Sequence, residues 1–300
     1  MSSTSLKIEQ LDVDVAGGKL ATFRFGAPDE GAPAVLAVHG ITASSYEWLA
    51  LARALTGRAT ILAPDLRGRG ASNGLPGPYG IEAHVADLLA VLDQLELAQP
   101  AVVIGHSLGA YIAARLAADH PDRVRAAVLV DGGLMIPGSE RIDPQAFADA
   151  LLGPALARLK MTFASHDAYH DWWRAHPAIQ GSDVADADLI AYADHDLVGE
   201  EPELRSSVAE QAVRGDAAEF LQMANGADRL AVSSTLLCAP RGLRGEPNPM
   251  QPLALVEAWA AQAPRQRDAI QVPGVNHYTI VMGRAGAAAV AAAVAAALGR

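Results

Sequence analysis

The segment Gly105–Gly109, with the sequence GHSLG, places a serine between two glycines. Apolar β-forming residues precede it, and a helix-forming stretch, YIAARLAADH, follows it. A strand that turns sharply into a helix leaves the central residue strained and exposed, and flanking glycines remove the bulk that would otherwise clash. Ser107 is therefore a candidate nucleophile. The alternative interpretation is a polar residue in a glycine-lined turn.

A serine that attacks a carbonyl carbon needs nearby N–H groups to stabilise the negative oxygen that develops. The start of the following helix would place the backbone N–H of Leu108 beside Ser107. An earlier apolar run ends in His39-Gly40-Ile41, and we expect the second donor to be the N–H of Ile41. In isolation, His39-Gly40 is also consistent with an ordinary strand end.

A serine hydroxyl also needs a general base, and the base needs an acid that orients it. His277, in IQVPGVNHYTIV, follows the last predicted strand and precedes the closing helix, as the chain order serine, acid, histidine requires. Two carboxylates compete for the role of acid. We favour Asp131, which ends the strand AAVLV before Gly132-Gly133, and we keep Glu246, in RGLRGEPNP, as the fallback. A simple turn residue is the structural alternative for Asp131.

The elements that must position these residues follow from the hydrophobic pattern. KIEQLDVDV and LATFRF flank Gly17-Gly18 and predict an antiparallel hairpin. Short apolar runs bounded by Gly, Pro or Asp predict strands buried on both faces: VLAVH, TILAP, AVVIG, VRAAVLV and STLLCA. Helical patterns alternate with them: YEWLALARAL, IEAHVADLLAVLDQLEL, GAYIAARLAADH and PLALVEAWAAQA. The sequence therefore predicts an α/β fold with a mostly parallel central sheet flanked by helices.

The alternation of strands and helices stops after Leu134. Residues 136–226 show no predicted strand and are mainly helical or irregular, which is typical of a cap inserted between two strands. We therefore predict a core in two parts, 1–135 and 227–300, with a helical cap over 136–226.

The cap segment is rich in aromatic residues, whereas the rest of the chain is poor in them. Some of these side chains would form an apolar ceiling over the site, and the alternative is that they form the cap's own small core. The predicted substrate-binding residues are Trp172, Trp173, Tyr192, Met223 and Tyr278.

The composition restricts the partners. The formal net charge of −11 argues against nucleic acid or an anionic membrane surface. Cys238 is the single cysteine, which excludes an intramolecular disulfide and a cysteine-based metal cluster. We expect a cytoplasmic protein, because MSSTSLKIEQ lacks a signal-peptide pattern and AGAAAVAAAVAAAL is too short to span a bilayer. The oligomeric state is not indicated.

His166 and His170, in HDAYH, have the spacing of the two histidines in zinc proteases, with Asp167 where a glutamate would stand. On a helix the two rings would share one face. Because aspartate is shorter and the segment lies in the predicted cap, we interpret the pair as polar cap surface and expect neither a metal nor a cofactor.

Taken together, the motifs resemble the α/β-hydrolase superfamily over nearly the whole chain. The HG loop, PDLRGRGAS at 64–72, GHSLGA, HPDRVRAAVLVD and NHYTIV occur in the order usual for the family. The resemblance implies the α/β-hydrolase fold with an inserted cap, Ser107 as the nucleophile, His277 as the base, and Ile41 and Leu108 as oxyanion donors.

The acid departs from the commonest pattern of that superfamily. Most members carry an aspartate after the strand that follows the cap, and this chain has none there. A subgroup that includes certain dehalogenases and fungal mycotoxin lactonases instead places the acid after the strand that follows the nucleophile helix, where Asp131 stands.

The resemblance also bears on the reaction. Epoxide hydrolases and dehalogenases of this fold use an aspartate nucleophile, so the serine favours acyl transfer. We expect hydrolysis of a carboxylic ester or lactone of a moderately large apolar molecule, with a modest preference for lactones. The alternatives are C–C bond hydrolysis of a β-diketone-type substrate, thioester hydrolysis or perhydrolase activity with the same triad, and a non-catalytic small-molecule receptor on the same fold.

Overall fold

The computed structural model describes residues 6–26, 33–95, 99–135, 143, 146, 153–223 and 225–299, with the backbone alone at 218 and 220–223. The strands are β1 (Ile8–Val15), β2 (Gly18–Phe25), β3 (Ala34–Val38), β4 (Thr60–Pro64), β5 (Ala101–His106), β6 (Val124–Val130), β7 (Leu197–Val198), β8 (Arg205–Ser206), β9 (Ser233–Cys238) and β10 (Arg267–Gln271). The helices are α1 (Leu49–Ala54), α2 (Ile81–Gln94), α3 (Leu108–Asp119), α4 (His166–Arg174), α5 (Asp186–Asp196), α6 (Glu210–Met223), α7 (Leu253–Ala261), α8 (Thr279–Met282) and α9 (Arg284–Leu298). Residues 153–158 are also helical.

Eight strands form one sheet in the order β1-β2-β4-β3-β5-β6-β9-β10. The hairpin of β1 and β2 and the pairing of β2 with β4 are antiparallel, and every later pairing in this sheet is parallel. The predicted hairpin and the mostly parallel sheet are confirmed. The five apolar runs correspond to β3, β4, β5, β6 and β9.

The strands read as continuous apolar runs because the sheet is covered on both faces. Along β3, Val35 and Ala37 point into a core that includes α1 and α9. Leu36 and Val38 point into the opposite core, which includes α2, α3 and α7. Alternate side chains therefore enter different cores, and neither face of the strand needs a polar residue.

Within the described residues, no helix combines the length and apolarity needed to cross a bilayer.

The segment between β6 and β9 contains α4, α5 and α6, which agrees with a mainly helical insertion. The expectation that it contains no strand is wrong, because β7 and β8 pair as a short antiparallel hairpin. Two-residue strands are too short to show an alternating pattern, which explains why the sequence did not reveal them. The boundary at 136 lies outside the described residues, and the limits 1–135, 136–226 and 227–300 stay a prediction.

Buried charges join the inserted segment to the core. Asp216 on α6 is fully buried and accepts hydrogen bonds from Arg69 and His84, and from the backbone N–H of Gly80 at 2.7 Å. Burial alone would raise the pKa of Asp216, but the charges of Arg69 and His84 hold it well below its usual range. The carboxylate is therefore ionised and paired where α6 meets the core.

Candidate active site

Ser107 occupies the turn between β5 and α3, with φ 53° and ψ −120°. It is partly exposed, whereas most of its neighbours are buried. A Cβ atom added to Gly105 or Gly109 would lie closer than 3.0 Å to backbone atoms of Gly109 or Val38, respectively. The two glycines are therefore required by close backbone packing around the serine, as the sequence indicated.

His277 and Asp131 form a buried pair. Nδ1 of His277 lies 2.7 Å from Oδ2 of Asp131, and the other oxygen, Oδ1, accepts the backbone N–H of Ala239 at 3.0 Å. Burial lowers the pKa of His277, although Asp131 opposes this effect. The ring is therefore neutral at neutral pH. With its proton on Nδ1 and directed at Asp131, Nε2 is left unprotonated.

Ser107 and Asp131 share a backbone property. They are the two non-glycine residues with a left-handed φ in the described part of the chain, 53° and 46°. Non-glycine residues rarely adopt this conformation, and it tends to occur where function requires a particular side-chain direction. Each stands directly after a parallel strand, β5 or β6, at the same edge of the sheet.

Glu246, the fallback acid, has other partners. Its Oε2 accepts the backbone N–H of Arg244 at 2.7 Å, and the described structure shows no hydrogen bond between Glu246 and His277. Glu246 nevertheless lines the same cavity as His277. The geometry therefore favours Asp131 as the partner of the histidine.

Ser107 and His277 line one cavity, but among the described residues no hydrogen bond joins the serine hydroxyl to the ring. The bond between nucleophile and base is often long in hydrolases without a bound substrate and shortens on binding. The structure thus brings serine, histidine and aspartate to one site and leaves the contact between serine and histidine open.

The two predicted oxyanion donors, the N–H groups of Ile41 and Leu108, also belong to residues that line the cavity. The loop before Ile41 is fixed from both sides. Nε2 of His39 accepts the N–H of Leu66 at 2.9 Å, so its Nδ1 carries the proton and donates to the carbonyl of Gly40 at 2.8 Å. Arg69 donates to the carbonyl of Ile41 at 3.1 Å.

Glu47 is a buried acid that the sequence did not single out. Its Oε1 accepts the N–H of Gly40 at 3.1 Å, and its Oε2 lies 3.3 Å from Nδ1 of His106. Nε2 of His106 is 2.9 Å from the carbonyl oxygen of His277. A signal was present in the sequence, since Glu47 is the one acid in the otherwise largely apolar stretch YEWLALARAL.

A cavity of about 500 Å³ lies between the sheet edge and the inserted segment. Trp172, Trp173 and Tyr278 line it, as predicted for substrate-binding residues. Tyr192 is not among the residues that line the cavity. Its side chain is buried and packs edge-on against Trp173. The side chain of Met223 lies outside the described residues.

Two polar residues of the cavity were also missed. Arg158 is buried and donates to Asp196 and, at 2.9 Å, to the carbonyl of Thr42. Burial lowers the pKa of His176 to about 4, and Arg158 contributes in the same direction. His176 is therefore a neutral wall residue. Arg158 has no neighbouring sequence motif because its partners, Asp196 and Thr42, lie far away in the chain.

The geometry agrees with a comparison with known proteins. A family model described as "alpha/beta hydrolase fold" matches residues 33–167, which include Ser107, Asp131 and the loop 39–41. The solved structure of E-2-(acetamidomethylene)succinate hydrolase superposes with a TM-score of 0.77, covering 98% of this chain and 100% of that one. This chain has the α/β-hydrolase fold. At 21% identity, the likeness to that structure bears on the fold alone.

Two curated proteins are similar to parts of this chain. Lipase LipV of Mycobacterium tuberculosis is 40% identical over 131 residues, which are 43% of this chain and 49% of that protein. A putative carbamate hydrolase, RutD, of Caulobacter segnis is 37% identical over 109 residues, which are 36% of this chain and 40% of that protein. The match to each thus spans less than half of the relative's length.

Proposed function

We propose that the protein is a serine hydrolase that cleaves a carboxylic ester or lactone of a moderately large apolar molecule. The observation that carries the proposal is the buried contact of 2.7 Å between Asp131 Oδ2 and His277 Nδ1, at the wall of the cavity that also contains Ser107. This pair supplies a neutral imidazole with a fixed orientation, which a serine nucleophile requires.

In the first half of the reaction, Oγ of Ser107 attacks the carbonyl carbon of the substrate while its proton passes to Nε2 of His277. The carbonyl oxygen becomes negative, and the N–H groups of Ile41 and Leu108 are the donors that would stabilise it. The bond between the carbonyl carbon and the alcohol oxygen then breaks, and His277 returns the proton to that oxygen. The product is an acyl-enzyme on Ser107 and a free alcohol, or a tethered one for a lactone.

In the second half, water attacks the acyl carbon and gives a proton to Nε2 of His277. The ester bond to Ser107 breaks, the serine regains the proton, and the carboxylic acid leaves. Asp131 stays ionised throughout and stabilises the imidazolium that forms in each half. All proton transfers are thus accounted for by the groups named, without a cofactor.

The substrate class rests on the cavity and on the relatives. A volume of about 500 Å³ suits a drug-sized molecule, and Trp172, Trp173 and Tyr278 provide apolar walls. The curated relatives are a lipase and a putative carbamate hydrolase, names that favour a carbonyl bonded to a heteroatom. The position of the acid after β6 favours lactones through the resemblance to the subgroup described above.

A fluorophosphonate probe tests the proposal, because it forms a stable adduct only with an activated serine. We expect intact mass spectrometry to show one adduct on the wild-type protein and on Ser182→Ala, a control variant with an exposed serine. Ser107→Ala should give no adduct, and His277→Ala should react far more slowly. No adduct on folded wild-type protein would contradict the proposal.

Turnover then needs a substrate panel. Matched aryl esters with acyl groups of increasing size, together with aromatic lactones, should show kcat/KM rising with apolar bulk until the cavity is filled. A preference for small polar esters would contradict the assigned substrate class while leaving the serine mechanism in place.

A further inference from the structure

Two histidines and one aspartate converge on the inserted segment, away from the cavity. His166 and His170 lie one turn apart on α4, and Asp194 lies on α5. Nδ1 of His166 and Nε2 of His170 are each 2.7 Å from the same oxygen, Oδ1 of Asp194. The three ligand atoms all lie within 4.8 Å of one another. Because none of the three residues lines the cavity, the cluster has no role in the proposed reaction.

The donor set is one that transition metals bind. Zn²⁺ takes imidazole nitrogen and carboxylate oxygen at about 2.0–2.2 Å, and sites with three protein ligands complete the tetrahedron with water. Tetrahedral bonds of that length separate the ligand atoms by roughly 3.3 Å. Two of the present separations are 2.7 Å and all lie within 4.8 Å, so small side-chain rotations would open the cluster around an ion.

The surroundings fix part of the cluster and leave the rest accessible. The side chain of His170 is 9% exposed, whereas those of His166 and Asp194 are 49% and 43% exposed. One ligand is therefore held in position, and the other two can reach an ion that arrives from solvent. Asp167 Oδ1 lies 3.7 Å from Nδ1 of His170, the other ring nitrogen, and this exposed carboxylate is too far away for a hydrogen bond.

The start of α4 is also fixed in place. Ser165 caps the helix by accepting the N–H of Ala168 at 3.2 Å. Glu201 accepts the backbone N–H of His166 at 3.2 Å. The backbone that carries the first ligand is therefore already ordered by partners outside the cluster, and an ion would not have to fold this turn on binding.

We propose that His166, His170 and Asp194 form a binding site for a divalent transition metal of the Zn²⁺ type, which joins α4 to α5. This revises the interpretation of HDAYH as polar cap surface. The sequence could not indicate the site because the third ligand follows 24 residues after His170, on another helix. Since α4 also carries Trp172 and Trp173, the ion would stiffen one wall of the cavity.

The competing explanation is a hydrogen-bonded cluster without metal, in which the two imidazole N–H groups donate to one carboxylate oxygen of Asp194. Direct measurement of binding separates the two. The full chain is treated with a chelator, dialysed, and titrated with ZnCl₂ at neutral pH by isothermal calorimetry, with bound zinc counted by elemental analysis. The variants are His166→Gln, His170→Gln and Asp194→Asn, and the matched control is His120→Gln, which removes a histidine at the end of α3.

We expect one zinc per chain in the wild type and in the control. Loss of an outer partner alone typically weakens metal binding by about 10–100-fold. Each of the three ligand variants should therefore bind at least about tenfold more weakly. Circular dichroism without metal checks that the variants are folded.

A second readout does not depend on zinc counting. ZnCl₂ should raise the melting temperature of the wild type and of His120→Gln, and this rise should disappear in His166→Gln, because a ligand stabilises the state to which it binds. Zinc binding with the same affinity in the wild type and all three ligand variants overturns the site, and so does the absence of binding by the wild type.

Discussion

Oε2 of Glu47 lies 3.3 Å from Nδ1 of His106, the residue that directly precedes Ser107. The other ring nitrogen of His106 is 2.9 Å from the carbonyl oxygen of His277. Both neighbours of the ring are hydrogen-bond acceptors, so the full set of contacts requires a proton on each nitrogen. Burial lowers the pKa of His106, but Glu47, Asp131 and the carbonyl of His277 act in the opposite direction, and the net effect is a raised pKa. The ring of His106 therefore connects the carboxylate that holds Gly40 to the backbone of His277.

Replacing Glu47 by Gln tests that link. The glutamine oxygen can still accept the N–H of Gly40, so the fold should be kept. The ionisation of His106 should move to lower pH, because the largest effect that opposes burial is then lost. Histidine-selective NMR titration measures it, with the exposed Glu257→Gln as control. An unchanged titration of His106 would show that Glu47 does not hold the charge.

The identity of the acid is tested by a pair of substitutions. Asp131→Asn should lower kcat by about 10⁴-fold, because the neutral amide stabilises the wrong tautomer of the histidine. Glu246→Gln should leave kcat close to that of the wild type, since its carboxylate contacts the backbone of Arg244 rather than His277. Steady-state kinetics on one ester measures both. A large loss of kcat in Glu246→Gln and a small one in Asp131→Asn would show that Glu246 is the acid that orients His277.

The pH dependence of kcat/KM follows from His277. The proposed mechanism needs the neutral ring, so activity is present above the pKa of His277 and is lost as the pH falls through it. Burial lowers that pKa from 6.5. The acidic limb should therefore lie below pH 6.5, measured in buffers of constant ionic strength. A limb at or above pH 6.5 would mean that the charge of Asp131 outweighs burial.

Gly109 provides a test of packing around Ser107. Gly109→Ala should reduce the free energy of unfolding by about 1–3 kcal/mol or more, because the new methyl group meets the backbone of Val38. Gly74→Ala should change it by no more than about 0.5–1 kcal/mol, since nothing lies within 4 Å of the added atom. Urea unfolding followed by fluorescence compares them. Equal stability of the two variants would contradict the packing argument.

The sequence revealed those features of the fold and the site that depend on local pattern. The parallel strands were visible because burial on both faces makes each one a short continuous apolar run. Ser107 was visible because its strained turn demands glycine at both flanks. The pairing of His277 with Asp131 was a choice between two carboxylates, and only the three-dimensional structure shows which of them lies 2.7 Å from the ring.

Other contacts form between elements that are distant in the chain, and the local sequence pattern does not predict which of these elements come together. Glu47 lies 59 residues from His106, so their contact has no local signature. Tyr192 was assigned to the site because an aromatic residue in a helical segment suits either a cavity wall or a helix–helix contact. In the structure Tyr192 lies on α5, and its ring packs against Trp173 on α4. The spacing of apolar residues along the sequence identifies a helix, but it does not show which elements the faces of that helix contact.

The buried pairing of Asp216 with Arg69 opposes separation of α6 from the core. A hinge motion that carried α6 away from the core would separate two charges that are both fully buried, and each would have to find water or another partner in place of the contact it lost. We therefore expect α6 to stay docked on the core while molecules enter and leave the cavity. The cavity reaches solvent beside Arg244, an exposed lining residue. For the proposed reaction, we expect the residues around this opening to limit which molecules reach Ser107.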